Sequence, residues 1–330
     1  MNRWKDYVVA RSEDEALSAL LRASGQARVI AGGTDLVVEF RDGRRHADML
    51  VDIMRVPSFK RIALDAGVLS IGAAVTHDEV LRYLGGGQDG LPVLAQALRS
   101  IGSPQIRGQA TVVGNLASGH GSADGGIALL ALEADFVVLN EGGRRRVSVD
   151  DYYRAADHAR IDSTREIIVE LQVKAPYDQA VGAYARKGRR RGFCRATAGC
   201  AVVLDVDGGV AGAETSGGRI AKARIAVGPV LRERFRGRAM PPCTQCFSTC
   251  RMCRPVRLPS AEEYLAGRPI EEAVIARAAE VGSEAVTLRS SVVNGSSDYR
   301  RLVVRGLMER AIREAVCGAL SRPERKARRV

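Results

Sequence analysis

No apolar run in this 330-residue chain approaches the roughly 18 residues needed to cross a bilayer, which excludes a span built from one long helix. Aromatic residues are scarce, at 5%, and do not combine with the arginines into a surface on which bases could stack. That scarcity counts against nucleic-acid binding, although a net charge of +12 invites it. Histidine is rarer still. His46, His77, His120 and His158 are scattered, without the H-x-x-x-H or His–carboxylate spacing of a metal site. Apart from His120, they read as surface or capping residues. No Ser/His/Asp or Cys/His nucleophile arrangement stands out. The opening "MNRWKDYVVARSEDEALSALL" has charges throughout and no apolar core, so no secretory signal is expected. A cytoplasmic location follows as the expectation, with reduced cysteines and no structural disulfides.

What is present is ordinary for a globular protein: 46% apolar and 27% charged residues, in a length that suggests two domains or three small ones. The positive excess is local, at "GGRRRV" (142–147), "RKGRRRGF" (186–193), "RERFRGR" (232–238) and the tail "RPERKARRV" (322–330). The tail reads as a solvated end.

The first 55 residues alternate strand, helix and strand. "YVVAR" is a short strand, Ser12 caps the amphipathic helix of "SEDEALSALLRAS", and "ARVIAGGTDL" is a buried strand entering a glycine turn. Two parallel strands with a helical crossover fit this start. Residues 56–178 mix short strands with helices, one opening on the capping box of Thr76 and Glu79. From 179 onward the pattern is antiparallel, with long strands in "AVGAYARKG", "TAGCAVVLDVDGG" and "RIAKARIAVGPV". Two helices follow, within "IEEAVIARAAEVGSEAV" and "SSDYRRLVVRGLMERAIREAV".

Two glycine-bearing segments carry the chemistry. In Val29-Ile30-Ala31-Gly32-Gly33-Thr34-Asp35-Leu36 a strand delivers the chain to paired glycines, which leave room for a ligand beside the main chain. Bare N–H groups there form an anion-binding concavity suited to a pyrophosphate, although no G-x-G-x-x-G is present. The second segment, Thr111 to Asp124, is rich in small and hydroxyl residues. It can wrap a phosphate or ribose with Asp124 available for contacts, or Ser122 and Asp124 can simply cap the helix that follows.

"AGGTDL", then "SPQIRGQATVVGNLASGHGSAD" leading into "ALLALEADFVVL", together resemble the flavin-binding subunits of the molybdenum hydroxylases, as do "GAAVTHDEV" (72–80) and "SSDYRRLVVRGLMERAI" (296–312). That family includes carbon monoxide dehydrogenase medium subunits and the xanthine dehydrogenase FAD domain. The resemblance implies an α+β chain. A vanillyl-alcohol-oxidase (PCMH-type) two-lobed FAD-binding domain would be followed by a C-terminal domain of antiparallel sheet plus helices. The implied limits are 1–55 for a small α/β lobe, 56–178 for an α+β lobe, 179–318 for the C-terminal domain and 319–330 for a basic tail. FAD would lie between the lobes. Ala31, Gly32, Gly33, Thr34, Asp35 and Leu36 would hold the pyrophosphate; Ile101, Thr111, Gly114, Asn115, Ser118 and Asp124 would line the phosphate, ribose and flavin path; Ile168 would sit near the adenine.

Two departures stand out. The family has two glycines before the asparagine, whereas Val113 precedes Gly114 here; its branched Cβ is expected to resist positive φ and to narrow the loop. The family's lysine position holds Arg186, with Lys187 beside it; either would set a positive charge near the flavin, and Phe193 would shield the ring. The implied partners are a molybdopterin-binding large subunit and a [2Fe–2S] small subunit, as a dimer of heterotrimers, with this chain transferring electrons to an external acceptor. A self-sufficient FAD oxidase or dehydrogenase of the same fold is the alternative, and needs an acid–base pair that the sequence does not show.

"CTQCFSTCRMC" (243–253) falls outside the resemblance, in a stretch from 232 to 257 rich in Arg, Pro and Cys. Cys243, Cys246, Cys250 and Cys253 are dense enough to ligate an iron–sulfur cluster, whereas zinc knuckles want a longer separation. An atypical insertion loop, or a locally frameshifted translation, accounts better for a stretch with so little apolar pattern.

Overall fold

The computed structural model describes residues 4–85, 91–155, 160–174, 180–190, 194–207, 218–235 and 252–320. The first lobe is built from β1 (Asp6–Val9), α1 (Glu13–Arg22), β2 (Ala27–Ile30), α2 (Leu36–Arg41) and β3 (Met49–Asp52). Its three strands are parallel in the order β1-β3-β2, as the strand–helix–strand alternation requires. Ser12 caps α1 by accepting from the Glu15 amide at 3.1 Å, and Ala16, Ala19 and Leu20 form the buried stripe that seats the helix.

The second lobe contains β4 (Ile62–Asp65), β5 (Val68–Gly72), α3 (His77–Tyr83), α4 (Pro92–Arg99), α5 (Pro104–Gln109), α6 (Val112–Ala117) and α7 (Asp124–Ala131). β6 (Asp135–Asn140), β7 (Gly143–Ser148), α8 (Val149–Arg154) and β8 (Ile167–Lys174) complete it. The strands form an antiparallel sheet ordered β4-β5-β8-β6-β7. The capping box at α3 is complete: Thr76 Oγ1 accepts from the Glu79 amide at 3.3 Å, and the Thr76 amide donates to Glu79 Oε2 at 2.8 Å. Every residue of α7 is buried, so this helix lies inside the molecule and carries Asp124 in with it.

The C-terminal part has β9 (Ala180–Gly188), β10 (Ala196–Val206), β11 (Ile220–Leu231) and β12 (Cys253–Arg257), then α9 (Pro259–Leu265), α10 (Glu272–Glu284) and α11 (Ser297–Leu320). The sheet is antiparallel, in the order β12-β11-β10-β9. β10 is buried on both faces. Ala201 and Val203 join the core shared with the first two lobes, while Cys200, Val202 and Leu204 join the core under α10 and α11. The two-residue period of one strand therefore feeds two cores and welds the C-terminal domain to α7.

The irregular stretch of 232–257 is corrected at both ends. Arg232 is buried, donates to the carbonyls of Tyr153 (3.1 Å) and Ala155 (2.8 Å), and its amide closes onto Met252 O at 2.8 Å. Cys253–Arg257 is the edge strand β12, pairing with β11. Its Arg-Pro composition hides the strand pattern, and an edge position is where a sheet tolerates proline. Cys243, Cys246 and Cys250 lie outside the described residues.

Candidate functional site

A cavity of about 500 Å³ separates the first two lobes, within the range of small-molecule sites, and the C-terminal domain adds Cys194 and Arg195 to its wall. β2 ends at Ile30 and the chain turns through Ala31–Asp35 into α2. Gly33 has φ +70°, a region open to glycine, and Gly32 lies so close to α5 that a Cβ would meet Gln109 O at 2.1 Å. Gln109 Nε2 donates to Gly32 O at 3.2 Å, so the two lobes meet main chain to main chain at this turn. Asp35 makes no side-chain cap bond, which leaves amides at the start of α2 to other acceptors.

The second segment is more helical than its glycines suggest. Thr111 caps α6, its Oγ1 accepting from the Gly114 amide at 3.0 Å. The backbone on either side is pinned by Val112 N to Val75 O and His77 N to Ala110 O, both 3.1 Å. Val113 lies within α6, buried and on the cavity wall, with a negative φ. The expected resistance to positive φ does not arise, because a helix needs none there. Asn115 presents a buried amide oxygen with no hydrogen-bond partner among the described residues, an acceptor awaiting a donor. The following turn packs against the C-terminal sheet: a Cβ at Gly121 would meet Cys253 O at 2.7 Å, and one at Gly228 would meet Gly121 O at 2.6 Å. Cys253 is thus a buried residue behind this segment.

Asp124 is no helix cap. The N-cap of α7 is Ala123, without a side-chain bond, and the Asp124 carboxylate points to the C-terminal sheet. Tyr184 Oη donates to Asp124 Oδ1 at 2.6 Å, and Arg186 Nε stands 3.2 Å from the same oxygen. Burial pushes the Asp124 carboxyl up, while Arg186 and Tyr184 pull it back toward the charged form. Burial and the facing carboxylate raise the Tyr184 phenol well above its ordinary value, so it is the proton donor of the pair.

Ala31, Gly32, Gly33, Thr34, Asp35, Leu36, Ile101, Thr111, Gly114, Asn115, Ser118, Asp124 and Ile168 all line this one cavity. Arg186 does not. Its guanidinium holds Asp124, Ser100 O (3.1 Å) and Cys194 O (2.5 Å) behind the wall. Lys187 is exposed on β9 away from the cavity, because neighbours on a strand face opposite sides. Phe193 lies outside the described residues.

Arg28, Arg44, Arg45, His77, Tyr152, Cys194 and Arg195 also line the cavity and had no motif to mark them. His77, read from sequence as a surface or capping residue, is fully buried, and neither ring nitrogen has a hydrogen-bond partner among the described residues. Burial, with the charge of Arg107 adding, pulls its pKa down to about 4. His120 lines the cavity as well; burial and then Arg195 lower its pKa. Among the described residues no cluster of three or more His, Cys, Asp or Glu side chains gathers for a metal ion, and no helix is long and apolar enough to cross a membrane.

Residues 2–176 match the family model of the FAD binding domain in molybdopterin dehydrogenase, and 249–315 that of the CO dehydrogenase flavoprotein C-terminal domain. The carbon monoxide dehydrogenase medium chain of Hydrogenophaga pseudoflava is 31% identical over 71% of this chain and 79% of its own length. Subunit alpha of the 6-hydroxypseudooxynicotine dehydrogenase complex of Paenarthrobacter nicotinovorans is 30% identical over 94% of both chains. The structure of quinoline 2-oxidoreductase from Pseudomonas putida 86 superimposes with a TM-score of 0.79 at 26% identity, over 96% of this chain and 98% of that one.

Proposed function

We propose that this chain, which belongs to the family of FAD-binding subunits of the molybdenum hydroxylases, is the electron-transfer subunit of its complex. It takes electrons from [2Fe–2S] clusters on a partner subunit and delivers them to an external acceptor. FAD is the cofactor. When bound it supplies the conversion between one-electron and two-electron transfer that such a relay requires.

The residues present fit that group, and the observation carrying the reading is that both glycine segments open onto one cavity. The turn at Gly32 and Gly33 lines the cavity, where a phosphate group would meet main-chain amides rather than side chains. The unpartnered Asn115 amide oxygen stands ready for a hydroxyl or ring N–H. Val113, Ile101 and Ile168 give the wall apolar surface that excludes water. Asp124, held by Tyr184 and Arg186, offers a fixed carboxylate on the same wall. Among the described residues no further acid–base pair for oxidising a substrate stands beside it, which favours a relay over a self-sufficient oxidase.

The partners in this reading are a molybdopterin-binding large subunit and a [2Fe–2S] small subunit, assembled as a dimer of heterotrimers in the cytoplasm. The tagged chain expressed in its native host tests it. Two further chains, with molybdenum and iron, are expected to copurify with the flavin; a chain that elutes alone and oxidises substrate by itself would overturn it.

A further inference from the structure

The cavity wall carries four arginines among the described residues, and three have partners. Arg28 donates to Gly25 O (3.1 Å) and Ala27 O (2.7 Å), Arg44 pairs with Asp42 at 2.6 Å, and Arg45 pairs with Glu39 at 2.7 Å. Arg195 is different. It precedes β10, lines the cavity from the C-terminal domain, and makes no hydrogen bond or ion pair with any described residue. A planar fork of five donors, half-buried and without an acceptor among the described residues, leaves those donors open to the cavity.

The wall's own carboxylates do not fill that need. Glu39 is paired with Arg45, Asp124 with Arg186, and Glu166 with Arg145. Burial lowers the Arg195 pKa; Asp35 opposes this without reaching ion-pair distance, and Arg44 adds to it. Arg195 also acts on His120, in the second glycine segment. It therefore faces the space between the two segments that make the phosphate path. Four lining arginines balance four lining carboxylates, so a dianion entering this space finds a net-neutral wall and one uncommitted guanidinium. The planar fork matches phosphate oxygens in pairs.

We propose that Arg195 is the side-chain counterion of the FAD diphosphate, so that bound cofactor ties the glycine turn of the first lobe to the C-terminal domain. The inference rests on FAD occupying this cavity, as argued above. It extends that reading to a residue outside both glycine segments.

The test is the FAD dissociation constant of the full chain, prepared as apoprotein with its copurifying subunits and titrated by flavin fluorescence at increasing NaCl. Arg195→Gln is expected to weaken FAD binding by about tenfold to a hundredfold, the worth of a charge-assisted pair. It should also flatten the salt dependence, because a screened cation–phosphate contact is gone. Arg195→Lys should recover part of the affinity. Arg189→Gln, which removes an equal charge from an exposed position on the same connection, should change nothing. The absorption spectrum and midpoint potential of the residual bound flavin should match wild type.

An affinity within twofold of wild type overturns the proposal. So does an affinity loss accompanied by a shifted flavin spectrum or potential, which would place the guanidinium at the ring, or an equal loss in Arg189→Gln. Apoprotein melting curves that coincide for wild type and Arg195→Gln exclude misfolding; if they diverge, Arg195→Lys carries the test. Wild-type protein that takes up no FAD would sink the cavity assignment itself, a separate outcome.

Discussion

The two glycine segments look alike on paper and work differently in space. In the first, glycine is demanded by the backbone: Gly33 by its positive φ, and Gly32 by a carbonyl oxygen that would stand 2.1 Å from any Cβ. In the second, Gly119 (φ +68°) and Gly121, against Cys253 O, are also held by the backbone, but Gly114 sits in a short helix with ordinary angles, and its Cβ would meet only the Thr111 hydroxyl, at 2.8 Å. A main-chain obstacle cannot move without shifting a lobe, whereas a threonine side chain can rotate. The same residue type thus marks a rigid contact between lobes in one place and a removable cap in the other.

Substitutions should separate the two. Gly32→Ala is expected to have the largest effect: about 3 kcal/mol of stability, as for severe overpacking, together with loss of bound flavin. Urea denaturation and flavin content per chain measure both, and full flavin retention would break the comparison. Next comes His77, whose amide pins the backbone at Ala110, just before the second segment. Its pKa lies near 4 when folded and near 6.5 when unfolded, so between those values the unfolded chain binds the extra proton. The neutral-ring stability is complete above pH 6.5 and is lost as pH falls toward 4. The gap in unfolding free energy between pH 7 and 4.5 should therefore shrink by about 2–3 kcal/mol in His77→Gln. An unchanged gap would mean that the ring is solvated.

Gly33→Asp should cost about 1–2 kcal/mol through its left-handed backbone. It should also abolish FAD retention, by setting a like charge against the diphosphate; unchanged flavin content would refute the role of that turn. Gly114→Ala should do least. Loss of the Thr111 cap, about 1 kcal/mol, is offset by the similar helix preference of alanine over glycine. A net change well above 1 kcal/mol in a thermal melt would show that Gly114 is as intolerant as Gly32.

Part of the cavity wall was legible in local pattern, whereas Ile101, Asn115, Ser118 and Ile168 were reached through the family resemblance. A strand that runs into paired glycines, a threonine three residues before a free amide, and Thr76 with Glu79 at a helix start each declare themselves within a few residues. Both sets converge on one space, from Ala31 to Ile168. What was illegible depends on distant partners. Arg186 was expected near the flavin because it stands at the family's lysine position; its guanidinium is held by Asp124, Ser100 and Cys194. β12 was hidden because an edge strand with proline and two arginines lacks the alternation that betrays most strands. His77 and Arg195 carried no signal, since burial and a missing partner are properties of the surroundings.

The order of strands and helices and the glycine turns were legible in chemistry local to short segments, where backbone freedom and capping act over three or four residues; the cofactor class came from the family resemblance of those segments taken together. The depth at which Asp124 lies, the diversion of Arg186 away from the cavity and the approach of Arg195 toward it were decided only when β9 and β10 packed against α7. Charge placement at this site is a long-range property: it depends on which carboxylate and which carbonyl arrive from elsewhere in the chain.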